Sequence, residues 1–150
     1  MKSRYLKFLV IAESYASLSK DQRKKVGAVA LDDDCTQLSE GYNGMPRGVN
    51  DNVTERHEKP EKDYWMAHAE ENVVAQAARK GVSLVGSTVI VTTLFPCHVC
   101  SRLMIQAGVA RVVAPKPRED SSWNEKQLRA VEMLLEANVE IHYLENADGT

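Results

Sequence analysis

The order of strand-like and helix-like segments predicts an α/β fold: a five-stranded mixed sheet with helices on both faces, in a single domain over residues 1–150. Three observations carry this. Apolar β-branched runs alternate with helical patterns over the last two thirds of the chain, which implies parallel strands joined by crossovers. Two earlier runs, 26–31 and 37–42, are separated only by an acidic turn and fold back as a hairpin, which makes the sheet mixed. The 150 residues, 43 % hydrophobic and 27 % charged, suffice for one core.

Taken in order, residues 3–19 place Tyr5, Phe8, Leu9, Ala12 and Tyr15 at helical spacing. VGAVAL at 26–31 reads as a strand, Asp32–Asp34 as its turn and 37–42 as the second strand. GYNGMPRG follows, a loop shaped by three glycines and a proline. The segment DNVTERHEKPEKD, 51–63, reads as a solvated surface loop. Residues 67–80 form a helix stopped by Gly81, 88–93 a buried strand, and 97–106 a helix that follows Pro96 and stops near Gly108. A strand over 111–114, a loop stiffened by Pro115 and Pro117, a helix over 123–137 and a strand over 139–144 complete the sheet. The tail 145–150 is expected to fray.

Composition narrows the function. The formal charge is −2, against the basic excess expected of a nucleic-acid-coating protein. The longest stretch free of charge, 81–101, is broken by Ser, Thr, Gly and Pro and is not an apolar span. At the N-terminus Lys7 and Glu13 interrupt what would be a signal peptide's apolar region. Three cysteines, an odd number, suit a reducing compartment, so a cytoplasmic protein is expected.

The chemistry lies in two places. His68-Ala69-Glu70 opens one helix and Pro96-Cys97-His98-Val99-Cys100 opens the next. Cysteines at i and i+3 share a helix face, so both sulfurs reach one ion. His68 supplies a third ligand, and three protein ligands leave a fourth position of Zn²⁺ for water, the mark of a catalytic site. Taken alone, CxxC also suits a structural zinc or a redox pair; the combination with HAE is what specifies the open site. Two thiolates cancel the ion's formal charge, so its water is acidified less than on three imidazoles. Such a site gains from a nearby base, and Glu70 is two residues from a ligand. Two helix N-termini favour the thiolate forms.

VGAV at Val26–Val29, GYNGMPRG at Gly41–Gly48, HAEEN at His68–Asn72, and FPCHVC with IQAGV over Phe95–Val109 resemble the cytidine deaminase superfamily, and within it the deoxycytidylate deaminases. The likeness runs from about residue 3 to 144. It implies a three-layer cytidine deaminase-like fold and hydrolytic deamination of dCMP to dUMP and ammonia, supplying dUMP for thymidylate synthesis. A zinc-activated water would attack C4 of cytosine while Glu70 carries protons from water to N3 and then to the leaving amine. The resemblance also implies an Ala69 N–H donor to the base O2 and an Asn43 contact to the sugar, although Asn43 equally suits a turn position in YNG. Arg23 is the first candidate for the phosphate, with Arg47 and Arg118 behind it; KDQRKK alternatively reads as a solvated loop. Lys24 and Lys25 read as solvated.

Some family members carry a tyrosine in the loop where this chain has PKPREDSSW; Trp123 reads as a packing residue or as its replacement. Some phage members hold a second, structural zinc before HAE. That segment here offers His57 and no cysteine, so one zinc per chain is expected. His98 is expected to point away from the metal, His142 to lie on a strand surface, and Cys35 to be a free thiol. The family further implies a homo-oligomer, a hexamer or dimer, with dCTP and dTTP as effectors and Mg²⁺ carried by the effector. Alternatives are a deaminase of dCTP or a modified dCMP, a tRNA adenosine deaminase, and a catalytically silent zinc domain. No nucleic-acid or membrane partner is expected.

Overall fold

In the computed structural model, which describes residues 3–119 and 123–144, one five-stranded sheet runs in the order β2-β1-β3-β4-β5. The strands are β1 (Gly27–Leu31), β2 (Gln37–Tyr42), β3 (Thr88–Val91), β4 (Arg111–Pro115) and β5 (Glu140–Leu144). β1 is antiparallel to both β2 and β3, whereas β3, β4 and β5 are parallel. The mixed sheet is thus as predicted. Its centre is buried on both faces, which is why β1 and β3 read as continuous apolar runs.

Helix α1 (Ser3–Ala16) covers one face, where Tyr5 and Ala12 pack with Val29, Leu31, Ile90 and Val113. The other face takes α3 (Ala69–Lys80), α4 (His98–Gln106) and α5 (Asn124–Glu136), whose Val73, Met104 and Leu134 pack on Ala28, Val89 and Val112. The alternation of side chains across each strand divides the two cores. Two glycines admit the helices closely. A Cβ on Gly27 would strike the Ala12 carbonyl, and one on Gly41 would strike the Ala69 carbonyl and lie 2.7 Å from Val73 N. Gly41 therefore lets the first turn of α3 lie directly against β2.

Several boundaries differ from the sequence reading, each for a local reason. The third strand ends at Val91, not 93, because Thr93 adopts a left-handed φ of 65° and turns the chain toward Pro96. The first helix ends at Ala16. His68 and Cys97 cap α3 and α4 instead of lying inside them, and Ala67 pairs with Gly44 in an isolated bridge. The segment 51–63 is not simply a solvated loop. It holds a 3-10 turn (Thr54–His57) and leads into a short helix α2 (Lys62–Trp65). The tail 145–150 lies outside the described residues. Among the described residues, no helix is long and apolar enough to cross a membrane.

Candidate active site

The carboxyl end of β3 is where the two motifs meet. Thr92 Oγ1 accepts the Gly27 N–H at 2.9 Å, and Thr93 Oγ1 donates to the Lys25 carbonyl at 2.9 Å. These bonds hold the 23–27 segment beside the turn that leads into Cys97. His68 is fixed from its own helix: its N–H donates to the Glu71 carboxylate at 2.7 Å, part of a capping arrangement.

His68 Nδ1 lies 3.6 Å from Cys97 Sγ and 3.3 Å from Cys100 Sγ, and the two sulfurs are 3.6 Å apart. Tetrahedral zinc with Zn–S near 2.3 Å and Zn–N near 2.0–2.1 Å needs donor separations of about 3.5–3.8 Å. Two of the three separations fall in that range and the third is about 0.2 Å short of it, so the donors suit that ion with only a small adjustment. They are also the one His/Cys/Asp/Glu group of this kind among the described residues. His98 lies outside it, its Nδ1 buried without a partner.

The charges follow from this crowding. The Cys100 hydrogen bond, together with His68, holds the Cys97 thiol far below its ordinary value. Cys100 is pushed up by the neighbouring Cys97 sulfur and by burial. The hydrogen bond to Cys97 raises His68 to about 9. A cluster that concentrates negative charge on sulfur beside an imidazole is what a divalent cation neutralises.

Glu70 is 5 % exposed. Burial pushes its carboxyl up to about 7, with the His68 ring pulling the other way. A carboxyl near neutrality can both take and give a proton at physiological pH. Ala69 and Glu70 are the first residues of α3, whose N–H groups lack intrahelical acceptors.

His68, Ala69, Glu70 and Cys97 line a cavity of about 510 Å³, with Cys100 behind them, within the range of small-ligand sites. Phe95, Met66 and Leu94 give it apolar wall. Trp123, read mainly as a packing residue, also lines it, 5.8 Å from the His68 ring and edge-on to it. Gln127 lines the cavity too, donating to the Phe95 carbonyl and accepting from the Arg118 N–H.

The candidate substrate residues divide. Ala69, Asn43 and Arg23 line the cavity. Asn43 is 7 % exposed and its amide is bonded at both ends: Oδ1 accepts the Val26 N–H, and Nδ2 donates to the Lys24 carbonyl and to Asp21. Arg47 and Arg118 are not in the lining; Arg47 donates to Gln76 Oε1 at 2.7 Å on the surface. Lys24, read as solvated, does line the cavity, and so do Lys59, Lys62 and Asp63 from the charged segment. The sequence offered no signal for these last three, because charge at a cavity mouth and charge on an open loop have the same composition. His57 contacts the Asp51 carbonyl at 2.6 Å. Cys35, half-buried at a turn residue of φ 64°, is a free cysteine as expected.

The family model for the cytidine and deoxycytidylate deaminase zinc-binding region matches residues 2–116. An uncharacterised deaminase of Aliivibrio fischeri is 37 % identical over 147 residues, 96 % of each chain. The human deoxycytidylate deaminase is 33 % identical over 111 residues, 71 % of this chain and 61 % of the human one. Among solved structures, dCMP deaminase from the cyanophage S-TIM5 in complex with dCMP and dUMP superposes with a TM-score of 0.76 at 26 % identity, covering 96 % of this chain and 99 % of the other.

Proposed function

Because the chain belongs to the cytidine and deoxycytidylate deaminase family, we propose that it hydrolyses dCMP to dUMP and ammonia. The observation that carries this reading is a buried carboxyl, Glu70, beside a three-donor metal group at the floor of a cavity lined by Arg23, Lys24 and Lys59. That combination suits a small substrate with a polar heterocycle at one end and an anion at the other. The cyanophage relative bound to dCMP and dUMP supports the choice of substrate.

His68, Cys97 and Cys100 would hold one zinc ion. When bound, the zinc supplies Lewis acidity that makes water a nucleophile near neutral pH. The remaining work falls to the chain itself. The Glu70 carboxylate takes a proton from the attacking water and delivers it to N3 of the cytosine as oxygen bonds to C4. It then passes the second water proton to the C4 amine, and the C–N bond breaks to release ammonia. The Ala69 N–H, free at the start of α3, donates to the base O2. Phe95 and Trp123 wall the base and limit water around it, and Arg23 with Lys24 faces the phosphate. Asn43, with its amide committed to two backbone partners and to Asp21, supports the cavity wall, so a sugar contact would be made by its accessible edge.

On this reading the dUMP formed would feed thymidylate synthesis, and the odd cysteine count suits a reducing, cytoplasmic compartment. The family resemblance further suggests a homo-oligomer with dCTP and dTTP as effectors and Mg²⁺ carried by the effector, the Gly41–Gly48 loop being the part tied to effector binding in some members; hyperbolic kinetics indifferent to both nucleotides would remove that control. The substrate is tested by following cytosine absorbance and ammonia release with deoxycytidine, dCMP and dCTP on zinc-loaded protein, with Glu70→Ala as control. Turnover of dCMP far above deoxycytidine and dCTP is expected. Equal rates with dCMP and deoxycytidine, or turnover of dCTP alone, would overturn dCMP as the substrate.

A further inference from the structure

We propose that Asp21 and Lys62 form a latch that positions the cationic mouth of the cavity for a nucleoside monophosphate. The inference rests on the dCMP reading above and assigns two residues that carry no part of the proton chemistry.

The Asp21 side chain is 3 % exposed, and both of its oxygens are used. Oδ1 accepts the backbone N–H groups of Arg23 at 2.8 Å and Lys24 at 3.2 Å. Oδ2 accepts Asn43 Nδ2 at 3.2 Å and is ion-paired with Lys62 Nζ. Burial alone would raise this carboxyl; the Lys62 hydrogen bond and the two N–H donors outweigh it and hold the group below its ordinary value. One carboxylate thus ties together the loop bearing Arg23 and Lys24, the end of the β2 strand region at Asn43, and α2.

The α2 end of this tie needs it. The helix has four residues, none of them buried, and a helix of that length does not hold itself in water. Its segment carries Lys59, whose Nζ lies 5.1 Å from the Trp123 ring and 3.7 Å from Asp63. All four lysines and arginines of the cavity lining come from these two segments, Arg23 and Lys24 from one and Lys59 and Lys62 from the other. Lys62 is only 17 % exposed and committed to Asp21. The Arg23 and Lys24 side chains have no partner among the described residues. The arrangement divides labour: Lys62 is used internally to neutralise a buried acid and fix the two segments, Lys59 is shared with Asp63 and the Trp123 ring, and Arg23 and Lys24 are left to face an anion. A phosphate rewards such pre-positioning, because the entropy of ordering mobile donors would offset part of the free energy of its charge-assisted hydrogen bonds.

The test compares binding of dUMP and deoxyuridine to zinc-loaded protein by calorimetry. The key variant is the double substitution Asp21→Asn with Lys62→Met, which leaves the net charge of the pair at zero and removes the tie. It is expected to weaken dUMP at least tenfold while changing deoxyuridine less than twofold. Lys62→Arg, which keeps the pair, is expected to stay within threefold of wild type for both. A double variant that keeps the wild-type preference for dUMP overturns the latch alone. Equal weakening of both ligands also overturns it, since that is the signature of a general structural role. Wild-type protein that binds the two ligands alike overturns the monophosphate reading itself, and the latch with it.

Discussion

The two ends of the parallel half of the sheet both carry charged clusters, and they behave oppositely. At the amino ends, Thr88, Arg111 and Glu140 stand side by side in register. Arg111 Nε donates to Glu140 at 2.8 Å, and its Nη1 donates to Tyr5 Oη at 3.1 Å and Thr88 Oγ1 at 2.9 Å. Arg111, with His142 behind it, holds the Glu140 carboxyl down to about 2. His142, expected on a strand surface, lies on the edge strand β5, half-buried and edge-on to Tyr5. At the carboxyl end, the Glu70 acid is pushed up to about 7 by burial, and two sulfurs crowd one imidazole. The first cluster answers each charge with a partner at the water's edge. The second buries an acid beside sulfurs and an imidazole with no cationic side chain paired to it among the described residues. Polar groups that satisfy one another hold a fold together; those denied satisfaction are the ones left to react.

The contrast predicts effects of opposite sign. Glu70→Gln should lower turnover at least about 10³-fold with zinc content unchanged, read by ammonia release and metal analysis. The same variant should make zinc-free protein more stable by about 1 kcal/mol, because an amide is buried at lower cost than an acid. A stable but inactive Glu70→Gln sharpens the comparison, and an active one breaks it. Chelation of zinc should abolish turnover, and adding back one equivalent per chain should restore it; metal analysis that finds two ions per chain contradicts the single site.

At the other end, Arg111→Met should cost about 2–3 kcal/mol of stability, because charge-assisted hydrogen bonds are lost. The kcat of the folded fraction should stay at the wild-type value. Chemical denaturation paired with kinetics separates the two effects, and a fall in kcat would show that the ends are coupled. The smallest effect concerns Glu140, which is 59 % exposed. Its folded value of about 2 lies below the ordinary 4.5. Its contribution is therefore present above pH 4.5 and is lost as pH falls toward 2. The gap in denaturation midpoint between wild type and Glu140→Gln should close over that interval.

The legible parts of the molecule were those encoded by neighbours in sequence. The five strands and four longer helices follow from periodicity, and His68, Glu70, Cys97 and Cys100 from their places at two helix starts. Of the cavity mouth only Arg23 was legible, from the family resemblance. Asp21 and Lys62 are joined only by the folded chain, and neither lies in a periodic pattern. Arg111 read as the start of a strand, although its side chain links Tyr5, Thr88 and Glu140 across three elements. Trp123 reads as a packing residue or as a replacement for the family's loop aromatic; its place in the cavity lining, 5.8 Å from the His68 ring, favours the second. Arg47 has the chemistry for a phosphate, but its bond to Gln76 takes it elsewhere.

The three metal donors are divided between the starts of α3 and α4, with the whole of β3 between them. An unfolded chain keeps only the Cys97–Cys100 pair within reach of one ion. Zinc would therefore distinguish the assembled core from its precursors, and its free concentration would act on the folding equilibrium by mass action, adding about 2.7 kcal/mol at a hundredfold excess over the dissociation constant. For such a chain, metal supply during synthesis would govern how much folded protein accumulates as well as how fast each molecule turns over.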